Sequence, residues 1–128
     1  MSKNLFLVKY LDKDYCDDTS ETLEQTFLME GIYEKLKEYI ERMDILETKG
    51  SIEKISIDYI KDEHIEKIVN NILIPECIKQ SEQIDKKFID KKTEEEFLLL
   101  GRLINILEVM INKRDNYMNN PNILMMVG

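Results

Sequence analysis

The chain has 128 residues, 43% of them hydrophobic and 34% charged, with a formal net charge of −8. That length supports one domain with a real core, and that hydrophobicity is too high for disorder. The charge excludes a surface built to hold a nucleic-acid backbone, which needs basic side chains. The excess is local: residues 1–10 carry +2, residues 11–47 carry −8 and residues 48–128 carry −2.

Other bulk features narrow the class. The chain lacks alanine and tryptophan, holds eighteen isoleucines, and has fifteen lysines against three arginines. These are the preferences of AT-rich codons, so the expected source is a low-GC bacterium, a phage or a virus, and the lysine excess says nothing about ligands. The opening run NLFLV is too short for a secretory signal. No stretch reaches the roughly 18 apolar residues that a membrane span requires. Cys16 and Cys77 make no disulfide framework, so a cytoplasmic protein with reduced thiols is expected.

In chain order, residues 4–11 (NLFLVKYL) are apolar on both faces, which predicts a central strand. An acidic loop, DKDYCDDTS, follows. Residues 21–28 alternate weakly and read as a returning edge strand; a helix start capped by Asp18, with Glu21 three residues on, is the rival. Residues 31–46 place Ile32, Leu36, Tyr39, Ile40, Met43 and Leu46 at helical spacing, which predicts an amphipathic helix. Gly50 breaks the chain, and EKISIDYI alternates as a half-buried strand. The expected unit over residues 1–60 is β-β-α-β, with the first strand in the middle of a small three-stranded antiparallel sheet.

Residues 61–118 read as helices. Asp62 is placed to cap one that uses Ile65, Ile68, Val69 and Ile72 and that Pro75 ends or kinks. A second run covers residues 76–90. Thr93 and Glu96 form a capping box for a helix over residues 94–118, which Asn119-Asn120-Pro121 stops. An apolar tail over 119–128 closes this single α+β domain. The helix contains FLLLGRLINILEVMI, in which Arg102, Asn105, Glu108 and Asn112 occupy one narrow band and the rest is apolar. Three coverings fit: a central core position, a homodimer seam, or a ligand groove. The apolar tail favours the seam, with Phe97, Leu100, Leu103, Leu107, Met110, Ile123 and Leu124 as its residues.

Chemical motifs are mostly absent. His64 is the only histidine, and the series His64, Glu66, Pro75, Cys77 fails the zinc-deaminase pattern because Gln80 stands where a second cysteine belongs. DKDYCDD lacks the glycine and distant glutamate of a calcium hand, leaving a solvated acidic loop or a weak divalent site. Gly31-Ile32-Tyr33 with Tyr39-Ile40 resembles a nuclease signature, but Glu41 follows inside the expected helix. Cys16 stands among aspartates, which blunt a thiolate; Cys77, near a helix start, reads as a small buried hydrophobe. Glu108 shares an apolar helix with Arg102 and Asn105 and reads as structural polar registry. No cofactor and no metal are expected.

What remains is surface. Glu30, Glu34, Glu38 and Glu41 fall on the outward face of the expected helix, near Asp12, Asp14, Asp17 and Asp18. Such a face suits docking to another protein with a basic surface. The expected function is therefore a non-enzymatic binding protein, of the inhibitor or immunity kind, that assembles as a homodimer. A protein that binds or sequesters a small ligand such as a nucleotide, in a pocket between protomers, is the alternative.

Overall fold

A computed structural model describes residues 3–11, 15–48, 50, 52–88 and 94–128. Among them lie five strands in one antiparallel sheet: β1 (Lys3–Lys9), β2 (Glu21–Leu28), β3 (Ile40–Leu46), β4 (Lys54–Ile60) and β5 (Ile123–Val127). The helices are α1 (Glu30–Leu36), α2 (Asp62–Ile68), α3 (Ile74–Phe88) and α4 (Glu94–Asn116). The spatial order of the strands is β2-β1-β5-β4-β3.

Three expectations need correction. The sheet has five strands, not three. One extra strand is the tail: Ile123, Met125 and Val127 alternate inward, and β5 pairs with β1 on one side and β4 on the other. Its apolar residues are covered by the chain's own sheet. The other is the second half of the expected 31–46 helix. Helix α1 stops at Leu36, a 3-10 turn covers Lys37–Tyr39, and Ile40–Leu46 is extended. The spacing of Ile40, Met43 and Leu46 satisfies a helix, but Met43 and Ile45 also share one face of a strand. Pairing opposite Ile57 and Ile55 decides for the strand.

Asp62 and Pro75 behave differently from expectation too. Asp62 is the first residue of α2, behind an N-cap at Lys61, and its carboxylate turns to α4. Pro75 neither ends nor breaks the rod. One π turn over Val69–Leu73 joins α2 to α3, and the Ile74 amide donates to the Val69 carbonyl five residues back. Proline removes a donor and crowds the carbonyl four residues earlier, that of Asn71, and the wider turn absorbs both effects. The residues 21–28 are a strand at the sheet edge, as their alternation predicts. β1 is flanked on both sides, although its second neighbour is β5 rather than β4.

The sheet curls. Cys16 forms an isolated parallel bridge with Leu46 on the free side of β3, while Glu21, five residues on, already pairs with Lys9 at the opposite edge. Five residues span at most about 17 Å. A flat sheet would separate β2 from β3 by about 19 Å. One face of the curl carries Leu5, Leu7, Ile60 and Met125 beneath the helices. The other packs Val8 and Tyr10 against Ile45 and Ile57, with Phe6, Met43, Leu124 and Met126 around them. Tyr10 donates its hydroxyl hydrogen to Met126 Sδ (3.1 Å), and burial, then Asp17 and Tyr15, push its pKa up to about 12.

Candidate docking face on the helical hairpin

Helices α2–α3 and α4 lie antiparallel. Asp62 meets Lys113, Glu66 meets Arg114, and Gln80 Nε2 donates to the Glu96 carbonyl. This hairpin covers the sheet, and the way α4 is seated on it decides which of its apolar residues remain available.

The inward side of α4 carries Leu103, Ile106, Val109 and Met110, all buried. Lys113 ends this line with only 1% of its surface exposed. Its ammonium is satisfied by both Asp62 oxygens (2.9 and 3.1 Å) and by the Tyr117 carbonyl (2.7 Å). Asp62 also accepts the Asn119 amide hydrogen (2.7 Å), so one buried ion pair fixes the start of α2, the end of α4 and the turn into β5. Asn119 sits at φ 61°, a left-handed conformation that asparagine tolerates. Nothing in the sequence marked Lys113 as special. The one available signal was its place at i+3 from Met110 on an apolar line.

The polar band of α4 turns toward one side of the sheet, with Arg102 and Asn112 half-buried and Asn105 and Glu108 still exposed. That side is the edge strand β2. The Arg102 guanidinium lies over the Phe27 ring (5.1 Å), Asn112 donates to Glu24, and Asn105 and Glu108 border a recess with Glu24 and Thr26. Arg102 thus makes a cation–π contact to another element.

With the sheet and the polar band accounted for, solvent receives apolar residues. The hairpin is antiparallel, so the residue following each contact position turns to the same outer side in both helices. Ile74, Ile78 and Ser81 follow one another at four- and three-residue steps on α3, as Phe97, Gly101 and Ile104 do on α4. Ile74 is 38% exposed, Ile78 55%, Phe97 53% and Ile104 40%. Leu100, Leu107 and Ile111 are half-buried between these lines. Glu82 and Asp85 on α3 and Glu108 and Asp115 on α4 border the strip. Among the described residues Glu82, Asp85 and Glu108 join no ion pair, whereas Asp115 holds Arg114 (2.9 Å).

The expected self-association set therefore splits. Leu103, Met110 and Ile123 are spent on the chain's own core, and Leu124 packs half-buried on the far side of the sheet. Phe97, Leu100 and Leu107 remain on the outer face, joined there by Ile74, Ile78 and Ile104, which sequence reasoning did not select.

The expected acidic surface also splits. Asp12 and Asp14 lie outside the described residues. Asp17 and Asp18 form a short turn next to Cys16, whose thiol donates to Asp18 (2.7 Å), beside Leu46. Glu41 is at the other end of β3, about 17 Å away along the strand. It is not on a helix, and it pairs with Lys61 (3.3 Å). Glu34 pairs with Lys37 (3.0 Å), and the Lys3 and Lys37 ammonium groups lie over Tyr33. Glu30 and Glu38 are exposed, but basic residues interleave with them.

Among the recesses of the described residues, one of about 450 Å³ is bordered by Tyr33, Lys37, Glu41, Arg42 and Asp58, whose charges are paired as Lys61–Glu41, Lys37–Glu34 and Arg42–Asp58. Two more are of note. One, of about 440 Å³, is bordered by Tyr15, Tyr59, Lys61, Asp62 and Asn120. It has the size of a small-molecule site, but Lys61 is engaged by Glu41 and Asp62 by Lys113, and the remaining charge on its border is the exposed Glu63 carboxylate, 3.6 Å from His64. The other, of about 320 Å³, lies between α1, α3 and α4 over Ile32, Leu99 and Leu103, beneath the Lys35–Glu76 ion pair. No group of three or more His, Cys, Asp or Glu able to hold a metal ion occurs among the described residues. Cys77 lies inside the continuous rod, not at a helix start, and burial, then Glu76, raises its thiol pKa. No helix among the described residues is long and apolar enough to cross a membrane. Comparison with protein-family models, with curated proteins and with solved structures finds no match to this chain.

Proposed function

We propose that this chain is a non-enzymatic binding protein that engages another protein through the outer face of its helical hairpin. The observation that carries the reading is a strip of four large side chains, Ile74, Ile78, Phe97 and Ile104, left in water on one side of the hairpin; Leu98 and Leu99 at the start of α4 are exposed as well. Single exposed apolar residues are ordinary, but a contiguous set with a polar border is characteristic of contact surfaces. At roughly 200 Å² per side chain of this size, the exposed fractions amount to on the order of 400 Å². With its border this approaches the ~800 Å² per partner of a standard interface. Compared with the sequence-based expectation, the binding surface moves from α1 to the hairpin and becomes apolar at its centre. An inhibitor or immunity protein is the type of activity such a surface serves, because occupying a partner is all it requires.

The test is photo-crosslinking in the native host, with a crosslinking residue placed at Ile104 or, as comparison, at Glu30 on α1. The Ile104 position should give one adduct with another protein, and the Glu30 position none. Adducts from Glu30 alone would return the function to the acidic helix and overturn the proposal.

A further inference from the structure

We infer that the partner's contacting element is a basic amphipathic helix, laid along the furrow between α3 and α4; the inference rests on the binding function proposed above. Shape and charge both support it. The outer side of two antiparallel helices is a shallow trough, and the usual occupant of such a trough is a third helix using apolar residues at i, i+3, i+4 and i+7. From Phe97 to Ile111 the trough runs fourteen residues along α4, about 21 Å. An incoming helix of about four turns matches that length. Gly101 lies in the exposed line, and a Cβ added there would meet nothing within 4 Å, so the incoming backbone has room to approach.

Charge selects the occupant. Glu82, Asp85 and Glu108 border the apolar floor and join no ion pair among the described residues; Lys79 and Lys86 are exposed on α3 as well, so the border is acid-rich rather than wholly acidic, in a chain of net charge −8. A second copy of this chain would bring the same carboxylates against one another, which costs energy at an interface border. A helix with lysine or arginine flanking its apolar stripe would instead meet an excess of opposite charge from Glu82 and Asp85 on α3 and Glu108 on α4. Such pairs speed association and fade with salt.

The probe is a dye-labelled 16-residue helical peptide with leucine on one face and lysine on the other, compared with its leucine–glutamate counterpart, by fluorescence anisotropy. The wild-type chain should bind the lysine peptide and ignore the glutamate peptide. An I78S/I104S double variant should lose at least tenfold in affinity, and E82Q/E108Q should lose several-fold at low salt and little at high salt. E30Q/E34Q/E38Q, which removes two acids from α1 and one from the turn that follows it, should bind as wild type does. Circular dichroism melts establish that each variant is folded. Equal binding of the two peptides, no binding of the lysine peptide, or an equal loss in the α1 variant overturns the basic helix. Light scattering that shows a wild-type dimer and an I78S/I104S monomer overturns it too, in favour of a second copy. A failure here with an Ile104 adduct intact in the host leaves the binding function standing with a different partner chemistry.

Discussion

The two sides of α4 have nearly the same composition and opposite fates. Leu103, Ile106 and Met110 point into the sheet and are buried, whereas Phe97 and Ile104, one residue on from Glu96 and Leu103, point into water. Nothing in side-chain chemistry separates a leucine at 103 from an isoleucine at 104. What separates them is the antiparallel seat of α2–α3, the edge of β2 that takes up the polar band, and the sheet beneath. An apolar stripe wider than the available cover leaves a remainder, and the remainder identifies the surface available to partners.

That contrast can be broken from below. Deleting residues 122–128 removes the strand between β1 and β4, and with it the inward support of α4. The expected result is loss of a cooperative thermal transition by circular dichroism; a retained sharp melt would show that α4 does not depend on the sheet. A milder probe compares single positions. Met110→Ala should cost about 2–5 kcal/mol in urea titration, the range for emptying a fully buried site. Asp62→Ala should cost about 3 kcal/mol because it strands the buried Lys113 ammonium. Lys113→Met should cost less, since Asp62 is partly solvated and retains the Asn119 amide. The reverse ranking would mean that the pair's electrostatics are not what fixes the turn.

The far core of the sheet supplies a pH test. The Tyr10 pKa is raised from 10.0 to about 12 by burial, so the folded state keeps its proton longer than the unfolded one. The associated stability is fully present below pH 10 and is lost as pH rises through 12. Wild type should weaken over that interval more than Tyr10→Phe. The smallest effect is expected on the outer side of α4: Ile104→Ser should change stability by about 0.5 kcal/mol or less. A loss comparable to Met110→Ala would show that Ile104 is covered within the chain and would remove it from the docking face.

Part of this architecture was legible in the residues. The two-sided apolarity of residues 4–11 does mark a strand with neighbours on both sides, and the alternation in EKISIDYI does mark β4. The 94–116 helix follows from its acidic first turn and its periodicity. Residues 40–46 were misread because Ile40, Met43 and Leu46 satisfy helical spacing while Met43 and Ile45 satisfy strand spacing; cross-strand partners made the choice, and those are tertiary facts. The tail was legible as needing cover but not as supplying a strand to the sheet's centre. The docking residues divide along the same boundary: periodicity marks Phe97, Leu100 and Leu107 as apolar, but the exposure of Ile74, Ile78 and Ile104 depends on the angle at which two helices meet.

The placement of β5 also has a consequence for how the chain is made. Strands β1 and β2, then β3 and β4, leave the ribosome as pairs, each with an open edge on the side that β5 will occupy. Residues 123–127 insert between those edges only after synthesis has passed them, and the contacts they make reach back more than a hundred positions to β1. Sheet completion therefore waits for the fifth strand and is dominated by long-range pairing, a topology that slows folding and leaves strand edges open in the interim. During that interval the nascent protein depends on its acidic charge, and on whatever chaperones bind it, to keep those edges from pairing with other chains.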